Sequence, residues 1–266
     1  MKKLLAILLA VSMVFCFAAC GGADEEAADV TDSQYVIENG KLVVGITNFA
    51  PMDYPDEETG DWIGFDADMA RAFAESLGVE VEFIEIDWDN KIMELDSKNI
   101  DCVWNGMTLT DEVKAAMGTS NAYCNNAQVI VVPADKAEDY ATAEACADLN
   151  FAAEAGSAGE AALMDLGYNV TSLSTQADAL MEVASGTSDA CVIDLLMAGA
   201  MIGEGTSYEN LTYTASLNSE EYGVGFRQGS DLVDLLNQFF IDAYADGSML
   251  EIAEKYGVQE SLVEQK

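Results

Sequence analysis

The chain has no histidine, only three prolines and only 11 basic residues among its 266 residues. Without histidine, Ser–His and Cys–His catalysis, HExxH zinc sites and histidine-based pH switches are excluded. The 48 acidic residues bring the formal net charge to −37, which repels phosphate backbones and argues against nucleic acid as a partner. No glycine-rich phosphate loop is present, so we expect no cofactor, no metal and no catalytic residue.

What the chain does have is apolar residues, which make up 50% of the sequence. This is enough for a folded core, and the length allows one large domain or two small ones.

The N-terminus is typical of a secretory signal peptide. Basic residues at Lys2 and Lys3 precede an apolar run from Leu4 to Ala19, which is too short to span a membrane well. We assign residues 1–19 to the signal peptide.

The end of that run, Phe17-Ala18-Ala19-Cys20, resembles a bacterial lipobox. The resemblance implies a lipid on Cys20 that anchors the protein outside the cytoplasm to the cell membrane of a Gram-positive host. A free cysteine beside an ordinary cleavage site is the alternative. The small and acidic residues that follow predict a flexible tether over 20–33.

Four cysteines remain beyond the tether: Cys102, Cys124, Cys146 and Cys191. Their spacing matches no CxxC metal or redox pattern. Disulfides are possible in an exported protein, but Cys102 and Cys191 lie in apolar, strand-like runs. Buried free thiols therefore fit the sequence at least as well.

Strand and helix patterns alternate along the rest of the chain, which predicts parallel α/β units. In the first half the predicted elements are strand Lys41–Ile46, helix Asp66–Leu77, strand Val79–Ile86, helix Asn90–Ser97 and strand Ile100–Trp104. In the second half they are strand Phe151–Glu154, a helix from Ser157, helix Gln176–Ser185, strand Ala190–Ile193, and two helices at 230–245 and 248–256.

Residues 95–104 and 183–192 share one plan. Each ends a helix, places an aspartate (Asp101 or Asp189) after a turn and enters an apolar strand. Two similar units imply two lobes with ligands at the carboxyl ends of the strands. Common α/β patterning without lobe symmetry is the alternative.

Short motifs along most of the chain resemble those of the polar-amino-acid solute-binding proteins (family 3) of bacterial ABC importers. In order, they are Phe49–Met52, Gly64–Asp68, Gly106–Thr110, Gly156-Ser157, Asp194, Glu221–Phe226 and the terminal Asp246-Gly247 with Glu254–Gly257. The resemblance implies capture of a solute and its delivery to the permease and ATPase subunits of an importer, by a monomer without enzymatic activity.

The fold implied by the resemblance is α/β, of the two-lobed periplasmic-binding-protein type (type II). Each lobe is a mainly parallel sheet flanked by helices, and two hinge strands join the lobes. Carried onto this chain, lobe 1 covers 34–129 plus 223–266, and lobe 2 covers 130–222. The hinges fall near Gln128–Val132 and Leu217–Tyr222.

The resemblance also implies the ligand-binding residues. They are Phe49 and Trp88 as two aromatic faces around the solute, Gly106 and Thr108 as polar contacts, Ser157 and Ala158 at a helix start that can bind an anion, and Asp194 for the ammonium group. Glu154 adds a second acid beside Asp194. Ordinary roles stay open, as core residues for Phe49 and Trp88 and as a helix cap for Ser157.

The chain departs from the family pattern at Val113, which occupies the place of an arginine that binds the solute carboxylate. Lys91 is the basic residue expected near the cleft, whereas Arg71 is predicted on an exposed helix face and Arg227 in a surface turn. We therefore hypothesise a positively charged solute, either a cationic amino acid or an amine without a free carboxylate.

Two other functions remain possible on the same fold. One is an enzyme resembling cyclohexadienyl dehydratase, with Glu154 or Asp194 as general acid. The other is a receptor that presents its solute to a sensor protein.

Overall fold

The computed structural model describes residues 30–266, in which Thr31–Lys266 form one compact unit. The predicted signal peptide, the lipidation site Cys20 and most of the predicted tether lie outside the described residues. The α-helices found in this part are α1 (Asp32–Asn39), α2 (Phe65–Leu77), α3 (Lys91–Asp96), α4 (Asp111–Ala116), α5 (Ala158–Leu166), α6 (Gln176–Ser185), α7 (Leu195–Met201), α8 (Leu232–Asp246) and α9 (Ser248–Tyr256).

The strands belong to two main sheets and one small hairpin. They are β1 (Lys41–Ile46), β2 (Tyr54–Pro55), β3 (Trp62–Ile63), β4 (Glu80–Glu85), β5 (Cys102–Thr108), β6 (Gly118–Thr119), β7 (Cys124–Asn126), β8 (Gln128–Pro133), β9 (Asn150–Glu154), β10 (Asn169–Leu173), β11 (Ala190–Asp194), β12 (Leu211–Ser216) and β13 (Glu220–Phe226). The first sheet has the order β4-β1-β5-β13-β6, with β7 also paired to β13, and the second has the order β10-β9-β11-β8-β12. We call the parts built on these sheets the first and second lobes.

The two sheets repeat one α/β plan. In the first lobe β1, β4 and β5 are parallel with β1 in the middle, and in the second lobe β9, β10 and β11 are parallel with β9 in the middle. Asp101 accepts a hydrogen bond from the Val43 amide of β1 at 3.0 Å, and Asp189 accepts one from the Asn150 amide of β9 at 2.9 Å. The similarity predicted around Asp101 and Asp189 is thus a real structural repeat.

The chain passes between the two sheets twice. One residue separates β7 in the first sheet from β8 in the second, and residues 217–219 separate β12 in the second sheet from β13 in the first. Both crossings lie a few residues before the lobe boundaries expected at 129/130 and 222/223. The hydrogen bonds between strands decide where the chain leaves one sheet for the other, and the sequence pattern does not reveal these bonds.

The structure corrects the expected end of the tether. Thr31 caps α1 by accepting from the Gln34 amide, and the Gln34 side chain bonds the Thr31 amide in return, which is a capping box. Residues 31–33 are therefore part of the folded domain. Two tertiary contacts hold the helix, because Asp32 pairs with Arg227 at 3.1 Å and the Ser33 amide donates to Asp231 at 2.9 Å.

Arg227 does not lie in an exposed turn as predicted. Its side chain is 11% exposed, pairs with Asp32 and Asp101, and donates to the carbonyl oxygen of Ile100 at 2.8 Å. Arg227 therefore connects α1 with the residues that precede β5, and these contacts occupy its guanidinium group.

Other local predictions are confirmed. Helices α6 and α9 have the predicted bounds, and α2, α8 and strand β11 differ from prediction by one or two residues. Of the two states that the sequence left open for the four cysteines, the structure has buried free thiols. Helices α1, α4 and α7 were not predicted. In the described part of the chain, no helix is both long and apolar enough to cross a membrane.

Gly64 shows why one motif of the sequence needs glycine. Its φ is +133°, and a Cβ atom there would lie 2.0 Å from the carbonyl oxygen of Met52. Only glycine permits this approach. The turn starts α2, so that Asp66 is buried behind the first sheet.

Candidate ligand-binding cleft

A cavity of about 520 Å³ is lined by residues from both lobes. Seven of the eight predicted ligand-binding residues line it: Trp88, Gly106, Thr108, Glu154, Ser157, Ala158 and Asp194. Val113 and Lys91 also line it. We call this cavity the cleft.

Strand ends bring the polar residues together. Thr108 is the last residue of β5, Glu154 of β9 and Asp194 of β11. The carboxyl ends of strands in such sheets are where ligands bind. A second, more open groove of about 900 Å³ shares Thr108, Ala158 and some rim residues with the cleft but is lined by neither Glu154 nor Asp194.

Asp194 is 3% exposed and is held by side-chain donors from several elements. Its Oδ1 accepts from Asn126 Nδ2 at 2.5 Å, from Tyr222 Oη at 2.6 Å and from Gln128 Nε2 at 3.0 Å, and its Oδ2 accepts from Gln176 Nε2. These bonds fix the carboxylate in one orientation before any ligand arrives.

Glu154 is equally buried, at 3% exposure, but its Oε1 has no hydrogen-bond partner among residues 30–266. The nearby cation is Lys91, whose Nζ donates to the carbonyl oxygens of Gly156 at 2.9 Å and Trp88 at 3.2 Å. The same Nζ lies 4.8 Å from the ring centroid of Trp88. Lys91 therefore links the two lobes, because its ammonium group donates to one carbonyl oxygen in each of them.

The two acids exchange their protons near neutral pH. Burial raises the pKa of Asp194 to about 7, and the charge of Glu220 adds to this. Burial raises the pKa of Glu154 to about 8, and the charge of Asp194 raises it further, while Lys91 and the nearby polar side chains of Gln176 and Thr47 oppose the rise. A cation entering the cleft would favour the charged form of both acids.

Phe49 is not at the cleft surface. It is 2% exposed and lies behind Gly106, where a Cβ atom would be 2.4 Å from its ring. Its ring also packs edge-on against Tyr222, with centroids 6.3 Å apart. The predicted aromatic pair thus reduces to Trp88 in the cleft, while Phe49 supports Tyr222, a donor to Asp194.

Ser157 caps helix α5, the ordinary role left open from sequence, by accepting from the Glu160 amide at 3.0 Å. The Glu160 side chain in turn accepts from the Gly156 amide at 2.8 Å and from Ser172 Oγ. Because the chain's own carboxylate lies at this helix start, an anionic ligand group would meet a negative charge there.

Sequence reasoning missed Glu220, the first residue of β13. Its Oε1 accepts from Thr108 Oγ1 at 2.9 Å, Asn126 Nδ2 at 2.7 Å and Gln128 Nε2 at 2.8 Å. Both amides also donate to Asp194, so Glu220 ties a first-lobe group of the cleft to a second-lobe carboxylate at the crossings. Its place beside the motif Glu221–Phe226 was the one available signal.

The basic residues of the described part give the cleft little positive charge. Lys91 is the one that lines it. Arg71 pairs with Asp68 at 3.1 Å and is partly exposed, and Arg227 is engaged as described above. Val113 presents an apolar side chain, 6% exposed, to the cleft.

The family described as bacterial extracellular solute-binding proteins, family 3, matches residues 42–259 of this sequence. The chain belongs to this family. The resemblance stated from the motifs and the two-lobed fold are thereby confirmed.

Similar proteins of known kind are binding proteins for amino acids. This family 3 protein is 26% identical to the arginine-binding extracellular protein ArtP of Bacillus subtilis, over 96% of this chain and 98% of ArtP. It superposes on a mutant of ArgBP from T. maritima with a TM-score of 0.80 and 30% identity, over 85% of this chain and 99% of that one.

A third match concerns the enzymatic alternative. The ancestral amino acid-binding protein AncCDT-1, described as a precursor of cyclohexadienyl dehydratase, gives a TM-score of 0.77 and 29% identity, over 84% of this chain and 98% of that one. The fold is therefore shared by binding proteins and by a lineage that leads to an enzyme.

Proposed function

We propose that this protein is an extracytoplasmic substrate-binding lipoprotein of an ABC importer. It captures a positively charged amino acid or a related amine in the cleft and delivers it to a permease. The observation that carries the proposal is the burial of Asp194 and Glu154 in the cleft, with Lys91 as the only basic residue lining it in the described part of the chain.

Family membership supports solute binding outside the cytoplasm, and the arginine-binding names of ArtP and ArgBP support a basic solute. Within the cleft, Asp194 receives the ammonium group of the solute and Trp88 packs against its carbon chain. Thr108 contributes a hydroxyl, and the lobes close around the solute by bending at the two crossings.

The location follows from the N-terminal sequence. A lipid on Cys20 tethers the folded domain, and the acidic linker that precedes Thr31 keeps it away from the anionic membrane surface.

A thermal-shift screen of the purified protein tests the proposal. The probes are the standard amino acids, common polyamines and quaternary amines. A ligand at about 100 times its Kd stabilises the folded state by about 2.7 kcal/mol, which raises the Tm measurably. We expect shifts with basic solutes and none with aspartate or glutamate. Equal shifts with acidic and basic amino acids would contradict a charge-selective cleft, and no shift with any probe would contradict solute capture.

A cyclohexadienyl-dehydratase-like activity is the second candidate, because Glu154, with a pKa raised to about 8 by burial, can hold a proton for general acid catalysis. A dicarboxylate substrate would meet several acids and one engaged lysine in the cleft, which disfavours it. Product formation from prephenate would revive this candidate, and an absence of turnover would remove it.

A further inference from the structure

The acidic side chains that line the cleft differ in whether the protein or solvent already compensates their charge. Among the acids, Glu160 is occupied by the Gly156 amide and Ser172. Asp89, Asp111, Glu112 and Asp165 are exposed at the rim, where solvent screens them. Two buried carboxyl groups line the cavity: Asp194, which the fold holds with donors on both oxygens, and Glu154, whose Oε1 has no donor among residues 30–266.

Glu154 points to a missing donor more directly than Asp194 does. A buried carboxylate oxygen without a partner costs free energy, and such atoms are rare in folded proteins. Lys91 moderates the charge of Glu154, but its ammonium donates to the carbonyl groups of Gly156 and Trp88. A donor from a ligand would satisfy the free Oε1.

A ligand carboxylate finds few partners in the same space. Both arginines in the described residues are engaged elsewhere, and Val113 offers no donor from its side chain. The start of α5 already carries the Glu160 carboxylate. A carboxylate beside Lys91 would also lie near Glu154 and Asp89, whose charges act on that lysine.

We propose that the cleft is built for an aliphatic diamine or guanidino-amine that carries no carboxylate, with one cationic group at Asp194 and the other at Glu154. This inference rests on the proposed function and narrows its class of solute. The two charges of such a ligand match the two buried acids, and its carbon chain matches the apolar walls at Trp88 and Val113.

Ligand pairs that differ only in the carboxylate test the first half of the proposal. Titration calorimetry on the purified protein compares agmatine with arginine and cadaverine with lysine. We expect each amine to bind at least about tenfold more tightly than its amino acid, a difference well resolved by calorimetry. Equal or tighter binding of arginine and lysine would overturn the inference and leave the proposed function intact.

A cycle of two ligands and two protein variants tests whether Glu154 binds the second cationic group of the ligand. Cadaverine and pentylamine differ in one ammonium group, and Glu154→Gln removes one carboxylate at nearly constant size. We expect cadaverine to bind at least about tenfold more tightly than pentylamine in the unaltered protein, and this advantage to vanish in Glu154→Gln. Retention of the advantage in Glu154→Gln would overturn the assignment of Glu154.

Glu112→Gln is the matched control, because Glu112 lines the cleft but is exposed. It should keep the preference for cadaverine over pentylamine, and an equal loss there would mean that general charge, and not Glu154, makes the preference. If none of these ligands binds but a neutral amino acid raises the Tm, the diamine inference fails and solute capture stands. If no probe binds, both fail.

Discussion

Asp194 and Glu154 end neighbouring strands of the second sheet, are equally buried and line the same cavity. They differ in the hydrogen bonds that the protein gives them. Asp194 receives side-chain donors on both oxygens, whereas Oε1 of Glu154 has none in the described part of the chain. One carboxylate is held ready by the fold, and the other is left for a ligand to complete.

The difference teaches where affinity and selectivity come from. A carboxylate fixed by several donors loses no orientational freedom when a cation arrives, so it supplies affinity for any ammonium group. An unsatisfied carboxylate is costly until a donor reaches it, so it selects the ligands that can reach it. The following predictions separate these two contributions.

The largest effect is expected for Asp194→Asn. The change keeps the size of the side chain but removes the charge that faces the ammonium group. Loss of one partner of a buried, hydrogen-bonded ion pair costs about 2–5 kcal/mol, so agmatine should bind at least about thirtyfold more weakly in titration calorimetry.

Asp165→Asn is the control for Asp194→Asn. It removes an equal charge from the exposed rim of the cleft, where screening by solvent limits the effect to about threefold or less. Similar losses in both variants would mean that the net field of the protein, and not Asp194, binds the cation.

A smaller effect is expected from pH. The pKa of Asp194 is raised to about 7 and that of Glu154 to about 8, so both acids lose their protons between about pH 6 and about pH 8.5. Agmatine keeps its positive charges over this range. Its affinity should therefore rise at least about tenfold on going from about pH 6 to about pH 8.5.

The stability of the unliganded protein should change in the opposite direction. Both pKa values lie above those of carboxyl groups in an unfolded chain, so the folded state binds the protons more tightly. The free energy of unfolding then falls as pH rises through about 7 and about 8. Asp66, with a pKa raised to about 7 by burial, adds to this trend.

An affinity for agmatine that stays flat with pH would show that neither acid in the cleft binds its charge.

Much of this arrangement could be predicted from sequence, because the acids of the cleft follow recognisable strands. Asp194 and Glu154 each end a short apolar run, and parallel strands present their carboxyl ends at one edge. The repeat around Asp101 and Asp189 likewise has a local cause, since each aspartate bonds an amide of the neighbouring strand.

The partners of these acids could not be predicted, because they are distant in sequence. Asn126 and Gln128 flank one crossing, Gln176 begins a helix, and Tyr222 lies beyond the other crossing. No local pattern marks an amide as a donor to a buried acid. The same holds for Arg227, whose partner Asp32 is 195 residues away.

Phe49 illustrates the limit of carrying a role over from a family. Its position in the motif is matched, but the burial of its ring depends on how closely Gly106 approaches it. That distance is set by the strand packing of this chain, and the motif does not encode it.

The smallest predicted effect is on the unliganded protein with Glu154→Gln. Above the pKa of Glu154, about 8, the unaltered side chain is charged and its Oε1 lacks a donor, so removal of the charge should stabilise the fold. Lost attraction to Lys91 offsets part of the gain, and we expect about 1–2 kcal/mol, or a rise in Tm of about 2–6 °C, near pH 8.5. Near pH 6 the folded side chain holds its proton, but the unfolded one is still charged, so the rise should be clearly smaller there. Thermal unfolding at both pH values, with Glu112→Gln as the exposed control, measures this. A variant less stable than the unaltered protein at both pH values would mean that the Glu154 charge is already satisfied within the fold, and Glu154 would then resemble Asp194 after all.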